Sequence, residues 1–172
     1  MLLHKKQDMS KSHDLESEKD NRFCGTELKS TEFHEPRKIN YPDGSIYKGE
    51  LKNGKRNGHG TFIYSDGGKY EGGWKNGKRN GQGKLSSPEG RKYDGEWKNG
   101  DMNGQGTFTV SGGMNYVGEF KQGKNHGFGI LTYSDGRKKV GEFKENKPWN
   151  VKEYDKFGNI TGNYKNGLKQ KI

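Results

Sequence analysis

Catalysis needs converging groups of unequal kind, such as a nucleophile with its base or two carboxylates tuned apart by their surroundings. Five histidines are the first candidates. His4, His13 and His34 lie in the first 40 residues, while His59 and His126 stand beside glycine at positions that vary between otherwise similar segments. Placed so, they read as solvent-facing polar residues. Ser86-Ser87 and the Asp-Gly pairs are turn formers first. Gly58-His59-Gly60-Thr61 and its kin have the composition of a phosphate-binding loop, but such a loop must lead into a helix, and here extended segments follow. The one cysteine, Cys24, can form neither an internal disulfide nor a zinc cluster, and reads as an incidental thiol in a reducing compartment. No catalytic group, metal site or cofactor is expected from this set.

Two constellations bind rather than react. The first is basic: Lys52, Lys55 and Arg56 flank one Asn-Gly pair and Lys75, Lys78 and Arg79 flank the next, a stripe suited to anionic lipid headgroups. The charge is uneven, however. Residues 47–69 carry +3, 70–92 carry +4, 93–115 carry −2 and 116–138 carry +2. Asp101-Met102 replaces Lys78-Arg79 in the third segment, which argues against a nucleic-acid groove. Lysines at turns also keep sheets from associating edge to edge, and this plainer reading is preferred. The second constellation is aromatic: Tyr47, Tyr70, Tyr93 and Tyr116, with Trp74, Trp97, Phe120 and Phe143. These rings must chiefly hold the chain together. Yet a strip of rings on a sheet with no opposing layer is a binding surface for a helix or extended segment of another protein.

The spacing of those rings defines the elements. The tyrosines recur every 23 residues, each followed two positions later by glycine at Gly49, Gly72, Gly95 and Gly118, with Gly141 in a fifth copy. An apolar residue and a lysine come next, at Leu51, Trp74, Trp97, Phe120 and Phe143. Asn53-Gly54, Asn76-Gly77, Asn99-Gly100 and Gln122-Gly123 follow in register. Asn-Gly between alternating segments predicts a two-residue hairpin turn, since both central residues need positive φ. That turn sets Lys52 opposite Lys55, Leu51 opposite Arg56, Gly49 opposite Gly58 and Tyr47 opposite Gly60. A tyrosine ring then lies over cross-strand glycine and shields its backbone. Ser65-Asp66-Gly67-Gly68 and its counterparts turn the chain into the next hairpin. The fold class expected is all-β: an elongated single-layer antiparallel meander of consecutive 23-residue hairpin repeats.

The units YKGELKNGKRNGHG at 47–60 and YDGEWKNGDMNGQG at 93–106 resemble MORN (membrane occupation and recognition nexus) repeats, in consecutive copies over about residues 41–145. The resemblance implies a twisted single-layer sheet with an aromatic groove and a non-catalytic scaffold or adaptor. It also implies a cytoskeletal, ciliary (axonemal) or membrane-associated assembly. The ends depart from the pattern. Tyr41 to Tyr47 holds the end of a preceding unit, so it should start the sheet. Lys139 stands where tyrosine is expected, and Pro148 lacks a ladder donor and suits an edge or terminus. Residues 139–172 therefore read as a degenerate repeat and cap, with one more irregular hairpin and a half.

Composition agrees with this division. Only 25% of the 172 residues are hydrophobic and 29 are glycine, against about half apolar and about 7% glycine in ordinary domains. Disorder would explain that, but 12% aromatic content does not fit it. Residues 1–40 are net neutral and hold one glycine, whereas 41–172 carry the whole +10 and 28 glycines. Residues 1–40 read as an unstructured tail or partner-docking arm, 41–138 as the repeats. Apolar runs are too short for a membrane span or a secretory leader, so the cytoplasm is the expected location.

Overall fold

The computed structural model describes residues 36–170, which form thirteen strands. They are β1 (Arg37–Asn40), β2 (Ile46–Lys52), β3 (Lys55–Ile63), β4 (Lys69–Lys75), β5 (Lys78–Ser86), β6 (Lys92–Lys98) and β7 (Asp101–Thr109). There follow β8 (Asn115–Lys121), β9 (Lys124–Thr132), β10 (Lys138–Lys144), β11 (Lys147–Tyr154), β12 (Ile160–Lys165) and β13 (Leu168–Gln170). Each strand pairs antiparallel with the next in one open sheet, and no helix occurs among the described residues.

Two kinds of turn produce the meander. At the tight tips, Asn53 (φ 50°) and Gly54 (φ 71°) both occupy the left-handed region, as do Asn76-Gly77 and Asn99-Gly100. That is the twist a two-residue hairpin requires. The wider turns close on their own backbone. Tyr64 N–H donates to Gly68 O at 2.8 Å, and the Asp66 carboxylate accepts the Gly68 N–H at 2.8 Å. Each tip also docks on the hairpin before it: Gly77, Gly100 and Gly123 donate to the carbonyls of Arg56, Arg79 and Met102 at 2.8–2.9 Å.

The register departs from the expected one beyond the tip. Lys52 faces Lys55 and Leu51 faces Arg56, but Gly49 faces Gly60 rather than Gly58, and Tyr47 faces Phe62 rather than Gly60. Asn57, Gly58 and His59 together oppose Glu50, a bulge repeated between β4 and β5, β6 and β7, and β8 and β9. Common to all four is a glycine in the left-handed region, Gly58, Gly81, Gly104 or Gly127, and in three of them a glutamate braces it, Gly73 standing at that place between β4 and β5. The Glu50 carboxylate accepts the His59 N–H at 2.7 Å and fills the space that a side chain on Gly58 (φ 76°) would need. Glu96 with Gln105 and Glu119 with Phe128 repeat the arrangement at 2.8 and 3.2 Å.

The ends correct two further expectations. The sheet starts four residues before Tyr41, because β1 pairs Ile39 with Tyr47 and packs Ile39 and Tyr41 against the core. Arg37–Asn40 is therefore strand and not tail. The rest of that segment, with His4, His13, Cys24 and His34, lies outside the described residues. Pro148 is at the start of a strand and not on an edge strand: it is the second residue of β11, opposite Phe143 at a register shift, where the β12 ladder (Val151 to Tyr154) does not reach and its missing N–H is not called on. Beyond it come the expected hairpin and a half, β11 to β13. Lys139, in the tyrosine position, pairs with Glu153 at 3.1 Å, and Lys169 holds the other carboxylate oxygen at 2.8 Å. Burial works against the charge on Glu153, but those two lysines outweigh it and keep the carboxyl below its ordinary range.

Candidate functional site

The groove face is built by rings interlocked across strands. Tyr47, Trp74, Tyr70, Trp97, Tyr93, Phe120, Tyr116 and Phe143 form an unbroken series, each meeting the next edge to face at centroid distances of 5.0–5.6 Å. Edge-on contact suits the ring quadrupoles and lets each side chain cover its neighbour. Glycine makes the close approach possible. The Tyr70 ring lies directly on Gly83, the Tyr93 ring on Gly106 and the Tyr116 ring on Gly129, leaving no room for a Cβ. Each phenol donates to a carbonyl three residues on, Glu50, Gly73, Glu96 or Glu119, at 2.8–3.1 Å. The indoles of Trp74 and Trp97 donate to Gly60 O and Gly83 O at 3.0 and 2.9 Å. No polar edge of the series is left unpaired.

All eight rings proposed from sequence as partner contacts are brought together, but as core. Their exposure runs from 0% for Tyr47 and Tyr70 to 6% for Trp74, so they form the floor beneath a surface and are not that surface. Mutual covering, which the strip reading left out, does the work of a second layer. The accessible walls are half-buried residues on either side: Leu51 and Met102 near the tips, Leu85, Phe108 and Leu131 toward the wider turns. Over Trp97 they open into a concavity of about 340 Å³ lined by Arg79, Leu85, Tyr93, Met102 and Phe108, among others.

The basic stripe divides. Arg56 lies over the Trp74 ring at 4.3 Å and Arg79 over Trp97 at 4.2 Å. Each guanidinium also donates to a carbonyl of the following tip, Gly77 O at 2.9 Å or Gly100 O at 2.7 Å. Both arginines thus clamp one repeat to the next while forming the groove wall. The four lysines stay exposed, paired across the tips as Lys52 with Lys55 and Lys75 with Lys78. A readable signal existed for the arginines: each is cross-strand from the Leu51 or Trp74 position, on the ring face.

Burial pushes the phenols of Tyr47, Tyr70 and Tyr116 up to about 12, from an ordinary 10.0, and Tyr93 higher still. In the unfolded chain they ionise first, so their contribution is fully present below about pH 10 and is lost as pH rises through the folded values. Urea midpoints should therefore hold to about pH 10 and fall steeply by about pH 12, at roughly 2–3 kcal/mol per ring, with tyrosinate absorbance appearing together with unfolding. Gradual ionisation of a still-folded sheet would contradict the buried ladder.

A one-layer sheet of tight hairpins, each contacting its neighbours and leaving one walled groove, defines a binding solenoid. Residues 47–69, 70–90, 93–114 and 116–136 each match the MORN repeat profile, together half of the chain, and the chain belongs to the MORN-repeat family. It is thus a repeat scaffold of the protein- or membrane-binding kind, a family of binding modules and not of known catalysts. No match is found among curated proteins.

Proposed function

We propose that this chain is a non-catalytic adaptor that holds a helix or extended segment of a partner protein along the aromatic-floored groove, as a component of a cytoskeletal or ciliary assembly. The observation that carries this is the concavity over Trp97. Leu85, Met102 and Phe108 give it apolar, half-buried walls over the buried Trp97, and charged groups of both signs, Arg79, Arg91 and Lys92 with Glu89 and Asp101, stand at its margin for the partner's polar groups. A photo-crosslinking residue at Met102 should capture one discrete partner in the source cell, and one at Lys48, on the opposite face, should not. Equal capture from both positions would defeat the groove reading.

The exposed lysine pairs support a second reading, a peripheral adaptor on anionic phospholipid. It expects co-flotation with phosphatidylserine vesicles that is abolished by neutralising Lys52, Lys55, Lys75 and Lys78 and steeply weakened by salt. Groove capture at Met102 would persist through both treatments.

A further inference from the structure

The tight tips all lie at one end of the strands, and the charge there is one-sided. The lysine pairs of the first two tips recur at the fourth and fifth as Lys121 with Lys124 and Lys144 with Lys147, each pair directly opposed across the strands. Lys98 faces Asp101 at the third tip, and Lys165 faces Leu168 at the last. Ten exposed lysines thus stand against two carboxylates, Asp101 and Glu145. Among the described residues only Lys124 of the ten forms an ion pair, with Glu145 at 3.7 Å. The carboxylates next inward, Glu50, Glu96, Glu119 and Glu142, already accept from His59, Gln105, Phe128 and Asn150 of their own sheet. The wide-turn end differs: its turns and the strand residues beside them hold five carboxylates and six cations.

Folding does not ask for this row. Like charges directly opposed across strands destabilise a sheet. Nor do the tips need lysine against edge-to-edge pairing, because the edges of this sheet are β1 and β13, and at the tips the ladder closes on itself. We infer that the row of tips binds an acidic, extended polypeptide segment, rich in glutamate or aspartate, on a surface separate from the groove. Four of its lysines are those of the phospholipid reading, and the twist of the sheet decides between the two occupants. At about 20–25° between neighbouring strands, the row turns by about 40–50° from each tip to the next and by more than half a turn from first to last. A flat bilayer meets about two or three tips of such a row at a time. A flexible chain follows them all, over roughly 50 Å along the sheet, and about twenty extended residues are long enough. Single-stranded nucleic acid bends as well, but it is held by rings on which its bases stack, and the tips offer Asn, Gly, Gln and Glu instead. Ammonium groups, without the planar fork of arginine, suit a partner of no fixed geometry.

The test is fluorescence anisotropy of a labelled glutamate–serine peptide of about twenty residues, titrated with the full chain at physiological salt. Saturable binding is expected, steeply weakened by added salt. Neutralising the first two tips (K52Q/K55Q/K75Q/K78Q) and neutralising the fourth and fifth (K121Q/K124Q/K144Q/K147Q) should each weaken it by about tenfold or more. The same change at the wide turns, K69Q/K92Q/K138Q, should leave it within about twofold. The first of these variants should unfold at or above the parent's urea midpoint, since it removes two like-charge pairs. Absence of binding overturns the inference. So does binding indifferent to either tip variant, a midpoint lowered by neutralising the first two tips, or tighter binding, per anionic charge, to phosphatidylserine vesicles or to an oligothymidine than to the peptide.

Discussion

Replacing Trp97 with alanine should destabilise the sheet by about 3–5 kcal/mol, a large share of the whole stability of a domain this size. The side chain is 4% exposed. Its loss removes the edge contacts to Tyr70 and Tyr93 at 5.2 and 5.1 Å, the indole bond to Gly83 O and the seat of the Arg79 guanidinium. The effect should reach cooperativity as well as the midpoint. Each hairpin pairs only with the hairpins before and after it, so weakening the junction between the second and third lets the two halves unfold separately. Urea unfolding should show a lower midpoint together with a shallower slope. W97F supplies the comparison: phenylalanine already fills this position at Phe120 and Phe143, so only the indole bond is lost, at about 1 kcal/mol. Equal losses for both variants would mean that the ring ladder does not carry the sheet.

Valine at Gly83 should cost about 3 kcal/mol or more by the opposite route, overfilling. The added Cβ would meet the Tyr70 hydroxyl and ring. That ring has nowhere to move. It is held edge-on between Trp74 and Trp97 at 5.0 and 5.2 Å and is bonded to Gly73 O. Gln82, next along β5 but exposed on the opposite face, gives the control, and Q82V should fall within about 0.5 kcal/mol of the parent. In a cycle with Y70L the cost of G83V should shrink, since the clash is with the tyrosine itself. Additive costs would place the strain in the backbone instead.

The hairpin tips, the 23-residue period and the tyrosine-on-glycine contact were legible in sequence because each rests on local chemistry: positive φ at Asn-Gly, alternation along a strand, a ring beside a missing side chain. The bulge was not, since a left-handed glycine inside a strand (Gly58, Gly81, Gly104, Gly127) shifts the pairing in a way that alternation does not show, and the glutamate that braces it in three repeats reaches across strands. A clue was present in length, as the first strand of each hairpin has seven residues and the second nine. Arg56 and Arg79 misled for a related reason: their charge suggested solvent, while their cross-strand partners put them on the indoles. The eight rings and their part in holding the sheet together were found from sequence, but the depth of their burial was not. A row of aromatics shows its period in sequence, but edge-to-face closure between repeats is a property of tertiary geometry.

The constant repeat length turns the groove into a graduated scale. Two strands per repeat advance about 9.6 Å, one wall position per graduation. An α-helix laid along it presents the same side every seven residues, about 10.5 Å. The two rulings slip by about 0.9 Å per repeat, so a straight helix falls half a graduation out of step after about five. A vernier of this kind favours short occupants with two or three anchors, and it discriminates by length as well as by side chain.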